Sequence, residues 1–222
     1  KNSVLLVLGI VLLVTGVLIN FSKNSEKKLQ DIITTYQDHE SYDGKEYPLG
    51  LFTKEHYESE SNFATDLLDQ LEYINIDDLN ENDLISYELL KFELKDIIDY
   101  FNFERYLNPL LSDSGFHSSL NYMVRPLSNY KKTVEYLNKL NSLPGFVDQN
   151  LTNIRIGLEK GVSQPLVIFD GYESTYNDHI TINHLDNYFY SPFKNLPNDI
   201  SDIKKDSINK VAKLAIEQVV VP

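Results

Sequence analysis

The stretch NENDLISYELLKFELKDIIDYF, residues 80–101, decides the fold class. Leu84, Tyr87, Leu90, Leu94, Ile97, Ile98 and Phe101 recur at three- and four-residue intervals, the period of one helical face. Asn80 with Asp83 three residues on reads as the N-terminal cap of that helix. Glu88, Lys91, Glu93 and Lys95 fall on the opposite, water-facing side, with charges spaced to support one another.

The same period continues outward in both directions. Upstream, Ser25 caps a helix carrying Leu29, Ile32, Ile33 and Tyr36. Residues 38–52, with Gly44, Pro48 and Gly50, read as a loop. Ser61 opens a helix with Phe63, Leu67, Leu68, Leu71 and Ile74 as its stripe. Downstream, Pro109 and the Ser-Asp-Ser-Gly at 112–115 break the chain. Leu127 and Ser128 then staple and cap a helix with Tyr130, Val134, Leu137 and Leu140 turned inward, stopped by Pro144. Val147, Leu151, Ile154 and Leu158 form the next apolar face, closed by Gly161. Ser163 and Pro165 restart a helix, residues 188–197 make a loop, and the last helix runs from about Ser201 through Ile203, Ile208, Val211, Leu214 and Ile216. No stretch alternates in the manner of a strand. The sequence predicts an all-α body, a multi-helix array of seven or eight helices without a fixed-period repeat.

The first segment differs from the rest. Val4–Ile19 reads VLLVLGIVLLVTGVLI, uncharged and apolar on every face. Sixteen helical residues reach roughly 24 Å, a little short of a bilayer core of about 30 Å, and Lys1 and Phe21 can extend the reach at the two ends. No small-residue cleavage pattern follows, so an N-terminal transmembrane helix or signal anchor over residues 1–22 is favoured over a cleaved signal peptide. Residues 23–222 form the body. Lys23, Lys27 and Lys28 against Lys1 alone would place that body in the cytoplasm by the positive-inside rule.

Composition removes several function classes. Twenty Lys plus Arg against 33 Asp plus Glu give a net charge of −13, which argues against nucleic acid as a partner. Cysteine is absent, and with it disulfides, thiolate metal sites and cysteine nucleophiles. The five histidines do not assemble a zinc hydrolase motif. His39-Glu40 is followed by Ser41, Tyr42 and Asp43, so the second histidine is missing. His179 and His184 are five apart, roughly 140° around a helix. Asp77, Asp78, Glu81 and Asp83 sit at helix starts, where the helix dipole accounts for them. There is no Gly-x-Ser-x-Gly elbow and no phosphate loop. Gly115, Phe116 and His117 stand out because they lie in a break between long helices, where site residues concentrate.

Several blocks together resemble the bacterial domain-of-unknown-function 885 family. They are ENDLISYELLKFEL (81–94), NPLLSDSGFHSSL (108–120), RPLSNYKKTVEYLNKLNSLPGFVDQNLTNIRIGLEKGVSQP (125–165), SPFKNLP (191–197) and VVVP (219–222). The resemblance runs from about Asn80 to Pro222 and corresponds to the N-terminal part of that family. It implies an exported or envelope protein similar to zinc-dependent peptidases, with a His-Glu-x-x-His helix and its zinc lying downstream of this chain. No cofactor is therefore expected on the residues here, and no catalytic or metal-binding role carries over to any of them. The resemblance offers Gly115, Phe116 and His117 as cleft-facing residues, and Arg155, Gly161 and Pro165 as structural family positions. It implies a bacterial inner-membrane location with a periplasmic body, against the lysine count, and a peptide substrate if the parent is an enzyme. A non-catalytic accessory subunit bound to other membrane-protein subunits is the alternative. The apolar ending VVVP adds the expectation that this is the front part of a longer protein.

Overall fold

The computed structural model describes residues 24–111 and 114–222. The expected anchor over residues 1–22 lies outside them. Among the described residues no helix is long and apolar enough to cross a membrane. These residues form α-helices joined by 3₁₀ turns, with no strand and only one isolated antiparallel bridge, Leu110 to Gly115. Contacts divide the chain into two compact units.

The described residues of the first unit run up to Ser41 and from Glu55 to Glu104. They hold α1 (24–37), α2 (Lys54–Glu72) and α3 (Glu81–Asn102). Asn80 caps α3, its side chain accepting the amides of Asn82 and Asp83 at 3.0 Å each. Leu29, Ile32, Leu67, Leu71, Tyr87, Leu90 and Leu94 meet in one buried cluster. Two expectations are corrected here. Helix α2 starts at Lys54, not Ser61, and Ser61 is buried in mid-helix beside Ala64. The first turns, 54–60, bury no apolar side chain, their half-buried positions being His56, Tyr57 and Glu60, so a count of large apolar residues starts late. In α3, Leu84 is exposed, while Tyr87, Leu90 and Leu94 are buried in the seam with Ile97 and Ile98 packed against it.

The second unit comprises Tyr42–Lys54 and Arg105–Pro222. Its helices are α4 (Tyr130–Asn141), α5 (Leu143–Glu159) and α6 (Asp202–Ala215), the last running on into a π-helical turn, Ile216–Val220. Its core gathers Tyr136, Leu140, Phe146, Phe189, Phe193, Ile208 and Ile216. Asn129, rather than Ser128, caps α4 by accepting the Lys132 amide at 2.9 Å. Thr133 and Tyr136 face inward with Leu140, while Tyr130 and Val134 are exposed. Tyr136 earns the buried place because its hydroxyl donates to the Phe189 carbonyl at 2.8 Å. Pro144 does not stop a helix; it sits in the first turn of α5, where its missing N–H costs nothing. The expected helix after Ser163 is instead two 3₁₀ turns, Leu166–Phe169 and Tyr172–Thr175, separated by Gly171 at φ 72°. The expected loop at 188–197 is largely a 3₁₀ helix, Tyr188–Asn195, which buries Phe189, Tyr190, Pro192 and Phe193.

Helix α5 differs most from the sequence reading. Its buried face is Leu143, Phe146, Asn150, Asn153 and Gly157, and Leu158 is exposed. Gly157 lies against the Leu107 backbone: a Cβ there would meet the Leu107 carbonyl oxygen at 2.6 Å. Gly145, in the first turn of the same helix, has nothing within 4 Å of such a Cβ. Opposite outcomes follow for one substitution type. Gly157→Ala is expected to destabilise by about 1–3 kcal/mol through overpacking. Gly145→Ala is expected to stabilise by about 0.5–1 kcal/mol through backbone entropy. Paired chemical-denaturation curves check both signs.

Candidate functional site

The apolar stripe of α5 serves a surface besides the core, against which Val147 also packs. Val147, Leu151 and Ile154 form one wall of a cavity of about 400 Å³ within the second unit. The 3₁₀ helix Phe116–Met123 contributes Phe116, His117 and Leu120. The turn segment at 172–180 contributes Tyr172, Tyr176, His179 and Ile180, and the π turn contributes Val220. Among the described lining residues there is no carboxylate, lysine or arginine.

Two backbone devices hold the histidine-bearing segments. Gly115 packs so closely that a Cβ would stand 2.7 Å from the Tyr172 hydroxyl and 3.2 Å from His117 Nδ1. That closeness lets Tyr172 donate its hydroxyl to the Ser114 carbonyl at 2.7 Å. Asn187, almost wholly buried, donates to the carbonyls of His179 and Thr181 at 2.9 Å each and accepts the Phe189 amide at 2.9 Å. The turn carrying His179 is thereby tied to the core aromatic beside it.

Hydrogen bonding fixes the form of both rings. Thr175 gives its hydroxyl proton to the Tyr172 carbonyl at 2.7 Å. Its oxygen must therefore accept from His117 Nε2, 2.8 Å away. His179 Nε2 donates to Asn121 Oδ1 at 3.0 Å. Each neutral imidazole thus carries its proton on Nε2 and keeps an Nδ1 lone pair, and neither Nδ1 has a hydrogen-bond partner among the described residues. The rings stand 6.2 Å apart, edge to face. Burial holds His117 below the usual histidine range. Burial does the same to His179, with the nearby His117 adding to the effect and Asp178 opposing it.

The family described as "Bacterial protein of unknown function (DUF885)" matches residues 38–222. The chain belongs to the DUF885 family. The match starts well upstream of Asn80, where the sequence resemblance begins. No curated protein and no solved structure matches the chain.

The structure places the singled-out residues of this DUF885 chain in two settings. Phe116 and His117 line the cavity, and Gly115 abuts its tyrosine. Gly161 closes α5 at φ 78°, with the Val162 amide reaching the Gly157 carbonyl at 2.8 Å and the Gly161 amide reaching Leu158 at 3.0 Å. Pro165 heads the turn Leu166–Phe169, and Arg155 is exposed on α5. Sequence reasoning missed Tyr172, Tyr176 and His179 as partners of His117, since they lie more than fifty residues away with no periodic signal between.

Among the described residues no three His, Asp or Glu side chains converge as metal ligands. His39 meets Glu60 at 3.0 Å while stacking on Phe63, and His184 meets Glu217 at 3.1 Å; each is a histidine–carboxylate contact that joins two segments.

The lowered histidines make a pH prediction with a definite sign. The unfolded chain takes up protons on these groups near their ordinary pKa of 6.5, and the folded chain only below it. Their neutral forms therefore contribute fully above that value, and stability drains as pH falls through 6.5 toward the lowered values. Thermal unfolding at pH 7.5, 6.5 and 5.5 is expected to show a falling Tm. The double variant His117→Phe, His179→Phe flattens that decline; an unchanged slope would place its source elsewhere.

Proposed function

We propose that this chain forms the substrate-binding, helical front of a zinc-dependent peptidase of the bacterial envelope. Residues 1–22 tether it to the inner membrane, with the body on the periplasmic side. The metal and its general base belong to residues outside those described, so no chemical step is assigned to any side chain here. The observation that carries the reading is the cavity. At about 400 Å³ it falls in the range of pockets that enclose small organic groups, and its wall is apolar except for a few polar atoms. Such a site suits the apolar side chain of a peptide, held by burial and oriented by the two imidazoles.

A second reading has its own support. On α3, Ile85, Leu89 and Phe92 share one face and are 54%, 61% and 67% exposed. An outward apolar stripe of that kind suits an accessory module that packs against other membrane-protein subunits.

The full-length protein distinguishes these readings. Incubation with a peptide library is expected to give hydrolysis that a chelator abolishes and added zinc restores. Leu151→Trp, which fills the cavity, is expected to raise KM by about tenfold, the equivalent of about 1.4 kcal/mol. Hydrolysis of no peptide under either condition overturns the enzymatic reading. Cross-linking of the wild type to neighbouring subunits, lost on Leu89→Glu, would then support the accessory one.

A further inference from the structure

The cavity wall says more about its occupant than that it is apolar. Phe116, His117, Tyr172, Tyr176, His179 and Phe189 put six rings around one space. Several stand edge to face: His117 on Tyr172 at 5.6 Å, on Tyr176 at 6.2 Å and on His179 at 6.2 Å. Rings arranged this way offer faces and edges to a further ring, which prefers those same geometries.

The polar atoms left over narrow the choice. The Tyr172 hydroxyl is engaged with Ser114, and both Nε2–H groups are engaged with Thr175 and Asn121. Two Nδ1 lone pairs remain, which only accept, together with the Tyr176 hydroxyl, which gives or takes a hydrogen bond; none has a hydrogen-bond partner among the described residues. The two lone pairs call for a donor on the ligand, and a hydroxyl supplies one while also being able to accept from Tyr176. A formal charge on that ligand would find no counter-charge among the described lining residues, and burying it would be costly.

We propose that this cavity is a binding site for an uncharged phenolic ring, which packs among the six rings and donates its hydroxyl to an Nδ1 of the histidine pair. The site stands whether or not the parent protein cleaves peptides. A phenol can arrive free in solution or as a tyrosine side chain, and the two sources share the recognition described.

Titration calorimetry on the intact chain, at pH 7.5, tests the assignment with p-cresol, toluene, p-toluate and 4-methylbenzylammonium. The expected result is that p-cresol binds about tenfold more tightly than toluene, the scale of one net hydrogen bond, and that both charged probes bind more weakly still. The double variant His117→Phe, His179→Phe should bring p-cresol down to toluene's affinity while toluene still binds. Leu151→Trp should abolish binding of both, with an unchanged circular dichroism spectrum showing that the helices survive. Toluene binding as tightly as p-cresol, a preference for either charged probe, or p-cresol affinity undiminished in Leu151→Trp overturns the proposal. N-acetyl-tyrosinamide separates the sources. Affinity matching p-cresol supports a tyrosine side chain as the natural occupant. Binding of p-cresol alone keeps the phenol site and removes the cavity as support for the peptide reading.

Discussion

Two side-chain amides on α5 hold both backbone groups of one residue, Phe52, and that clasp sets the rotation of the helix. Gln149 Oε1 accepts the Phe52 amide at 2.7 Å, and Asn153 Nδ2 donates to the Phe52 carbonyl at 2.7 Å. Asn150, buried between them, donates to the Phe146 carbonyl at 2.8 Å, so no amide nitrogen on this face is wasted. The Phe52 ring meets Phe146 edge to face at 5.1 Å. Gly50 makes the approach possible at φ 102°, with the Phe52 ring lying where a side chain would project. Once this polar face is turned toward the Phe52 segment, Val147, Leu151 and Ile154 are left on the side of the cavity, Val147 also touching the core. Buried polar groups are tolerated when satisfied, and here their satisfaction decides which side of the helix is left for a ligand.

That inversion explains what the sequence did and did not disclose. A stripe of large apolar residues is normally a core stripe. In α3 the rule holds for Tyr87, Leu90 and Leu94, and the cap at Asn80 falls where the residue type demands. In α5 it fails, because asparagines and a glycine take the core side through specific hydrogen bonds and a close backbone approach that no periodicity encodes. The segment Tyr188–Asn195 fails for another reason. Pro192 within it, Pro197 just after it and its short length suggest a loop, yet its aromatics at three- and four-residue spacing pack inward through a 3₁₀ helix, a form with weak local signals.

The candidate site was half legible. A histidine beside an aromatic in a break between long helices is a recognisable place for function, and Phe116 and His117 do line the cavity. Their partners were not legible, since Tyr172, Tyr176 and His179 reach the same space by tertiary folding alone. Asn187 in particular, one polar residue between Asp186 and Tyr188, gives no sequence hint that it ties three backbone groups.

The π turn at Ile216–Val220 has a further implication for how the family can drift. Its wider winding accommodates one residue more than an ordinary helical repeat, and the Val221 amide closes it on the Ile216 carbonyl at 3.0 Å. Losing one residue there would let the winding relax to the common helical form while the residues on either side kept their angular phase. The turn that carries Val220 at the cavity wall would narrow while Ile216 stayed in the core. A single-codon deletion could thus reshape that wall without disturbing the hydrophobic centre of the second unit.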